Sequence, residues 1–547
     1  MQVLKSTFSA VLPTIQDAIK QADFIAVDTE LTGLSAGAST NYSSLDTPQE
    51  RYSKLRQSSQ KFTITQYGVC CFIWDSQSAS YISRPFNFYI FPASAKFPFN
   101  VYERNFMCQV GSLEFLAKNG FDFNAWIRHG IPYCSNESET YIRTQITGQT
   151  NSDNDIVVDD ANKDFVHSSL NQIHEWLQSS TDKTIHVETP TSYHRKLLVQ
   201  QVRKKYPSLA VDPQERNVQV MRLTDEERQE GLGDPTLQLE KALDEYIGFR
   251  KVMDMISNSG KPLIGHNMLL DLIHTYNCFI GALPEKWEDF KTNLNKAFAT
   301  IYDTKHVCKS IPELATHFPE SSLETVFTTV NQDPFTAPTI RTHPDHSRYE
   351  GDNASYHEAG WDAHATGVAF ARLVAHFQGQ TVSHPRVAFD DDRVMELLNR
   401  LNIMKSDIAY LHLSGDDDQP DRTSILHIYD IPKEWKNRDI ELLFNSTDHG
   451  AITLLWINST SSFIKFEDST KSEGALAHYL AKHGKGNQSN SDDAGLTTYK
   501  LQRYSEMVRP MSPTRFGNGG TNGDSGVRMK RSASNTADTP HKQIKLA

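Results

Sequence analysis

The chain has 547 residues, 38% of them hydrophobic and 22% charged, with a formal net charge of −12. That length is too great for one core and predicts two to four domains. The negative balance argues against a protein that coats nucleic acid through its overall field, while a local basic groove remains compatible with it.

Six scattered cysteines (70, 71, 108, 134, 278 and 308), without a Cys-x-x-Cys pair, disfavour a disulfide framework or a zinc–thiolate site and suit a reducing compartment. The amphipathic opening "MQVLKSTFSAVLPTIQDAIKQ" lacks an uninterrupted signal-peptide core. No stretch reaches the ~18–20 apolar residues that span a bilayer, so no membrane partner is expected.

Over residues 1–150, "DFIAVDTEL", "FTITQYGVCCFIW" and "FNFYIFP" read as strands, being rich in β-branched and aromatic residues. "GSLEFLAKNGFDFNAWIRHG" reads as a helix pair broken at Gly120. The acidic, turn-rich stretch around 149–164 reads as a linker. Over 160–230, "FVHSSLNQIHEWLQS" and "SYHRKLLVQQVRKKYP" are helices of a small α/β module. The second carries Arg195, Lys196, Arg203, Lys204 and Lys205 on or near its polar side. "LTDEERQEGLGDPT" reads as a second linker. The α/β pattern returns over 235–400. There "KPLIGHNMLLDLIHTYNCF" is strand, turn and helix, "ATIYDTKHV" a short strand, and "GWDAHATGVAFARLVAHFQ" a long amphipathic helix. Two α/β halves around a small module predict one domain with an insertion. Residues 422–505 follow a β-α-β-β-α-β order, and 506–547, rich in Ser, Gly, Pro, Thr and Asn, read as a disordered basic tail.

Asp28 and Glu30 close the apolar run Phe24-Ile25-Ala26-Val27. Residues two apart on a strand point to the same side, so the two carboxylates share a face. Like charges so placed are costly unless a cation or a proton neutralises them, which makes the pair a candidate metal site. The same spacing at Asp225 and Glu227, inside "TDEERQE", reads as a solvated helix face, so the pair alone does not decide. In "IGHNMLLD", Asp271 lies one helical turn beyond Asn267, and both can face one cleft. In "YHEAGWDAHATG", His357 precedes Asp362 by five positions, about 140° apart on a helix. The two can meet only if His357 lies on a loop and the helix starts near Gly360. Each segment has an ordinary reading as well: Asp271 as a solvated helix residue, His357 as a satisfied loop histidine.

In combination, Asp-x-Glu on a strand, Asp after Gly-His-Asn, and His-x4-Asp resemble the DEDD exonuclease superfamily in its histidine-bearing subclass. The tyrosine subclass has Tyr-x3-Asp, and position 358 here is Glu. "DTPQERYSKL", "FNFYIFP", "FLAKNGFDFNAWIRHGIPY", "IGHNMLLD" and "HEAGWDA" are similar to the poly(A)-specific ribonuclease (PARN) family, most densely over 1–135 and 240–400. The resemblance implies an RNase H-like α/β nuclease domain, an inserted single-strand-binding-like module and a degenerate RNA-recognition-motif domain of α+β type. It implies that Asp28, Glu30, Asp271 and Asp362 hold two Mg²⁺ ions, with Mn²⁺ able to substitute, and that His357 takes the proton of the attacking water. It also implies that Leu31, Leu34, Leu113, Phe115, Asn267 and Lys305 line the path of the terminal nucleotides. Leu31 stands where the family usually has Phe, and core packing suits Leu34 and Leu113 equally.

The inserted module resembles one named for an Arg-x-x-x-His signature, of which Arg195 is present but position 199 is Val. A solvated basic face is the alternative there. In the 422–505 domain Ser461 occupies a stacking position and only Phe463 remains of the aromatic signature. Trp456 falls at the place where the family stacks a 7-methylguanosine cap, a role suited to cation–π attraction, with core packing as the alternative. Trp435 reads as structural.

The resulting expectation is a Mg²⁺-dependent 3′-to-5′ exoribonuclease acting on poly(A) tails and releasing 5′-AMP. It would be homodimeric and present in nucleus and cytoplasm, with Arg528, Lys530 and Arg531 as a short import or RNA-contact cluster. Trimming the 3′ ends of small non-coding RNA precursors, such as piRNA intermediates, is the alternative with the same chemistry. A non-catalytic RNA- or cap-binding protein is the alternative from another class, and the full set of five catalytic residues argues against it.

Overall fold

The computed structural model describes residues 1–93, 104–150, 156–231, 234–349, 356–379, 386–444, 449–483 and 499–507. The basic cluster Arg528, Lys530 and Arg531 and part of the 149–164 stretch lie outside these. The chain divides into two compact units, Met1–Pro420 and Asp421–Ala547.

In the first unit the strands are β1 (Gln2–Val3), β2 (Phe24–Leu31), β3 (Ile64–Asp75), β4 (Ser80–Pro92) and β5 (Ile131–Tyr133). They continue with β6 (Thr184–Glu188), β7 (Leu209–Pro213), β8 (Asn217–Arg222), β9 (Leu263–Gly265), β10 (Ile301–Asp303), β11 (Ile340–Thr342), β12 (Arg400–Leu401) and β13 (Leu411–His412). The principal sheet runs β1-β4-β3-β2-β9-β10, with β5 and β11 also on β4. Only β3 runs antiparallel to its neighbours; β2, β9 and β10 are mutually parallel. This mixed α/β sheet is of the RNase H-like type expected for a DEDD nuclease.

β2 is apolar along its first half because both faces are covered. Ile25 and Val27 join a core with Val252, Met253, Leu269 and Leu272, from helices Arg250–Ser259 and Leu269–Thr275. Phe24 and Ala26 join a second core with Val368, Phe370 and Leu373 of helix Ala359–Phe377. That helix is not amphipathic as expected: every residue except Arg372 and His376 is buried. It lies between β2 and β3 on one side and helix Leu323–Val330 on the other, so almost no face of it meets water.

"DTPQERYSKL" starts a helix at Pro48 through a capping box between Thr47 and Glu50. Its Arg51 is buried, donating to Asp46 at 3.2 Å and to the carbonyls of Ser43, Met404 and Lys405.

β6, β8 and β7 form a small antiparallel sheet, covered by helices Lys163–Ser179 and Ser192–Lys205 over a core of Ile173, Trp176, Leu198, Val202, Val218 and Val220. The two stretches expected as linkers carry structure of their own. Asp160–Asn162 is a 3₁₀ turn that leads directly into the Lys163–Ser179 helix. Asp225–Gln229 is a short helix, because Thr224 and Glu227 cap it reciprocally.

The second unit has β14 (Ile425–Tyr429), β15 (Thr453–Asn458), β16 (Ser461–Lys465) and β17 (Lys500–Arg503) in the antiparallel order β15-β16-β14-β17. Helices Asn437–Phe444 and Ser469–His483 pack on one face through Ile440, Phe444 and Leu476, against Leu426, Ile428 and Ile464.

Candidate active site

Strand alternation sends Asp28 and Glu30 to the face that carries helix Ala359–Phe377. Asp362, in the first turn of that helix, completes a group: one ligand oxygen from each of Asp28, Glu30 and Asp362 lies within 4.8 Å of the others. The helix start reaches the strand because Gly68, paired with Asp28 across β2 and β3, has no side chain. A Cβ there would sit 1.8 Å from the Ala359 carbonyl oxygen. Side chains then fix the helix end. Gln66 Oε1 accepts from the Ala359 N–H at 3.3 Å and Asn87 Oδ1 from the Gly360 N–H at 3.0 Å. Asn87 Nδ2 donates to Glu358 at 2.8 Å, and Arg348 donates to both Glu358 oxygens at 2.9 and 3.0 Å.

His357 lies on the loop just before this helix, with φ 68°. Its N–H donates to Asp362 Oδ2 at 3.0 Å, tying the loop to the acid group. Its ring meets Phe115 edge-on, with centroids 4.7 Å apart.

Asp271 is the fourth of the expected acids. It stands outside the group of three and accepts a hydrogen bond from the Thr29 hydroxyl. The reason is again alternation: Thr29 points to the opposite face from Asp28 and Glu30, where helix Leu269–Thr275 packs. β9 pairs with β2 only at Ile25 and Ala26, so the edge of β2 beyond them is open and Asp271 reaches its flank. From there its charge still bears on Asp28 and Glu30.

Burial and then mutual repulsion hold Asp28 and Glu30 well above the usual carboxylate range. Burial pushes Asp271 up to about 6, against the opposing Thr29 hydrogen bond, and Asp362 up to about 7, against the His357 N–H. Acids this crowded are neutralised by protons or by cations. An all-oxygen set suits a hard divalent ion such as Mg²⁺ or Mn²⁺. Desolvation lowers His357 below its ordinary value, so its imidazole is neutral at neutral pH and can accept a proton.

The residues expected along the substrate path are placed differently from one another. Leu31 is 8% exposed and part of the apolar core, so its side chain is committed to packing and offers no open platform. Leu34 is 53% exposed, and its N–H donates to Gln109. Leu113 and Phe115 lie on helix Val110–Lys118, and Phe115 is the one that meets His357. Asn267 has φ 58°, accepts from Asn402 at 2.7 Å and approaches Met404 Sδ at 3.0 Å. Lys305 donates to the Ser321 carbonyl at 2.8 Å. In the inserted module, Arg195 donates to the Glu215 carbonyl, while Lys196, Arg203, Lys204 and Lys205 are exposed.

In the second unit Phe463 is buried beside His427 and Tyr504, and Ser461 hydrogen-bonds His427 at 2.7 Å. That sheet face therefore offers no open phenylalanine. Trp456 is 37% exposed and donates to Asn437 at 2.7 Å. It lines a cavity of about 560 Å³ with Lys433, Trp435, Lys436 and Arg438. Trp435 also packs on the domain core and on Tyr499.

Thr29, Gln66, Asn87, Gly68 and Arg348 hold the site, and none was singled out from the sequence. Only Gly68 carries a local signal, a glycine inside a strand, which marks close backbone approach. The others are ordinary polar residues; the partners of Thr29, Gln66 and Asn87 at the site lie more than 240 residues away, and that of Arg348 lies ten residues on.

The CAF1 family ribonuclease model matches residues 3–370, and an RNA binding domain model matches 415–487. The chain is 33% identical to the poly(A)-specific ribonuclease PARN of Xenopus laevis over 534 residues, covering 93% of this chain and 81% of that protein. It is 34% identical to PARN of Danio rerio, covering 93% and 78%. It is 27% identical to the pre-piRNA 3′-exonuclease trimmer of Bombyx mori, covering 78% and 82%. The chain therefore belongs to the CAF1 ribonuclease family, among the poly(A)-specific, PARN-type 3′-to-5′ exoribonucleases.

Proposed function

We propose that this chain is a deadenylase, hydrolysing poly(A) from the 3′ end and releasing 5′-AMP one residue at a time. The observation that carries this reading is the cluster of Asp28, Glu30 and Asp362 within 4.8 Å, flanked by Asp271 and His357. Asp28, Glu30 and Asp362 would hold one divalent ion and Asp271 would help Asp28 hold a second, with Mg²⁺ the natural ion and Mn²⁺ a substitute. Two such ions supply Lewis acidity toward the scissile phosphate and its leaving 3′-oxygen. His357, neutral and on a loop at the rim, takes the proton of the attacking water. Asp362, bonded to the His357 N–H, keeps that loop over the acids. Phe115 packs against the imidazole and limits its swing.

Trimming of small RNA 3′ ends is the second reading. Two observations favour it: the similarity to the Bombyx mori trimmer and the burial of Leu31, which removes one stacking platform from the adenine path. Incubation with 5′-labelled oligo(A) and oligo(U), in Mg²⁺ or EDTA and beside Asp28→Ala, separates the readings. A ladder on oligo(A) alone, abolished by EDTA and by the substitution, is expected for a deadenylase. Equal ladders on both RNAs favour the trimmer, and no ladder in any condition refutes both.

Cap binding belongs to the same proposal. Trp456, beside Lys433, Lys436 and Arg438, offers an indole face and cations suited to a methylated purine with its phosphates. A homodimer is supported by family membership and by apolar side chains left open on the first unit, Val110 at 72% and Ile127 at 57% exposure; light scattering tests it. Nuclear and cytoplasmic residence is proposed as well, to be tested by fractionation. Among the described residues, no helix is long and apolar enough to cross a membrane.

A further inference from the structure

The acid of helix Leu269–Thr275 and the other three acids come from opposite faces of β2. Asp28 and Glu30 share the face of Asp362, while Asp271 approaches from the face of Ile25 and Val27. At the level of the site, Thr29 joins Asp271 to β2: its hydroxyl donates to Asp271 Oδ1, and its backbone N–H also turns toward that carboxylate. Thr29 is only 9% exposed, so water competes poorly for this bond. Held there, Asp271 is near enough for its charge to bear on Asp28.

We propose that Thr29 is a positioning residue for the second divalent ion, holding Asp271 at the open edge of β2 so that it can share that ion with Asp28. This rests on the two-ion reading above and deepens it. The three-acid group does not depend on Thr29, because its members are joined by strand alternation and by the docked start of helix Ala359–Phe377. Thr29 therefore separates the two ions functionally: losing its hydroxyl weakens one and spares the other. A residue that orients a metal-ligating carboxylate typically affects ion affinity by about 10- to 100-fold.

The test is calorimetric titration of Mn²⁺ into the full-length wild type, Thr29→Val and Thr29→Ser, each checked by thermal unfolding in EDTA. Thr29→Val keeps the shape and the β-branch while removing the hydroxyl; Thr29→Ser restores it. The expected result is a tighter ion unchanged in all three proteins. The weaker ion should lose about 10- to 100-fold in affinity in Thr29→Val and recover to within about threefold in Thr29→Ser. The Mn²⁺ concentration for half-maximal RNA cleavage should move in parallel. Unchanged binding of both ions in Thr29→Val overturns the proposal, as does equal weakening of both or failure of Thr29→Ser to recover. A wild type that binds two ions yet cleaves no RNA refutes the nuclease reading while leaving the role of Thr29 measurable. A wild type that binds one ion or none overturns the two-ion reading and this proposal together.

Discussion

Gly68→Ala is a one-methyl test of how the site is assembled. The added Cβ would lie 1.8 Å from the Ala359 carbonyl oxygen, 2.2 Å from its carbon and 2.7 Å from the Gly360 nitrogen. All three are backbone atoms, so no side chain can swing aside. Reaching even a 3.0 Å contact requires the helix start and β3 to separate by about 1.2 Å. Asp362 rides on that helix start and Asp28 is paired with Gly68 itself, so the displacement falls directly on the separation of the site acids. A misplacement of about 1 Å costs roughly 100-fold in rate, and overpacking costs about 1–3 kcal/mol in stability. The expected outcome is kcat on oligo(A) lowered by about 100-fold or more, with weaker Mn²⁺ binding and a protein that still unfolds cooperatively. Initial rates at saturating RNA, with a thermal melt alongside, provide the measurement. A kcat within about threefold of wild type, with unchanged Mn²⁺ affinity, would refute the inference that the helix start sets the acid geometry.

Three further predictions concern protons, stability and the cap. In the metal-free protein Asp271 and Asp362 hold values of about 6 and about 7 against an ordinary 3.8, so the folded state binds more protons than the unfolded one. Their contribution to stability is full below about pH 4 and is lost as pH rises toward 7. Thermal midpoints in EDTA should fall across that window, and Mg²⁺ should raise the midpoint more at pH 8 than at pH 5.5, because ions and protons compete for the same oxygens. Arg51→Ala removes the guanidinium from buried Asp46, which keeps Lys54 at 2.7 Å and the Ser43 N–H at 3.0 Å, and takes a donor from the carbonyls of Ser43, Met404 and Lys405. Urea unfolding should show a loss of about 3 kcal/mol, at the low end for a broken buried pair because Lys54 remains. Trp456→Ala should weaken 7-methylguanosine triphosphate at least about fivefold in a fluorescence titration, consistent with loss of roughly 1 kcal/mol of cation–π attraction. Unchanged affinity would remove Trp456 from that site.

The sequence by itself determined which residues are candidates for the chemistry. Asp28 and Glu30 after an apolar run, and His357 five before Asp362, are local patterns. Strand and helix periods convert such patterns into directions: two carboxylates on one face, and a histidine that must lie on a loop. The element order of the second unit was legible for the same reason, since period and turn residues are local properties. What the tertiary structure decided depends on which layers cover an element. Helix Ala359–Phe377 looks two-sided in sequence, yet it is enclosed because the sheet and helix Leu323–Val330 clasp it. Leu31 and Phe463 carry apolar side chains whose exposure is set by distant neighbours, and both proved buried. Asp271 was assigned to the acid group by motif, but its position beside Thr29 follows from β9 leaving the edge of β2 open. Gln66 and Asn87 had no local mark at all: a polar side chain acquires its role from a partner that the chain brings to it from elsewhere, and that meeting exists only in the folded molecule.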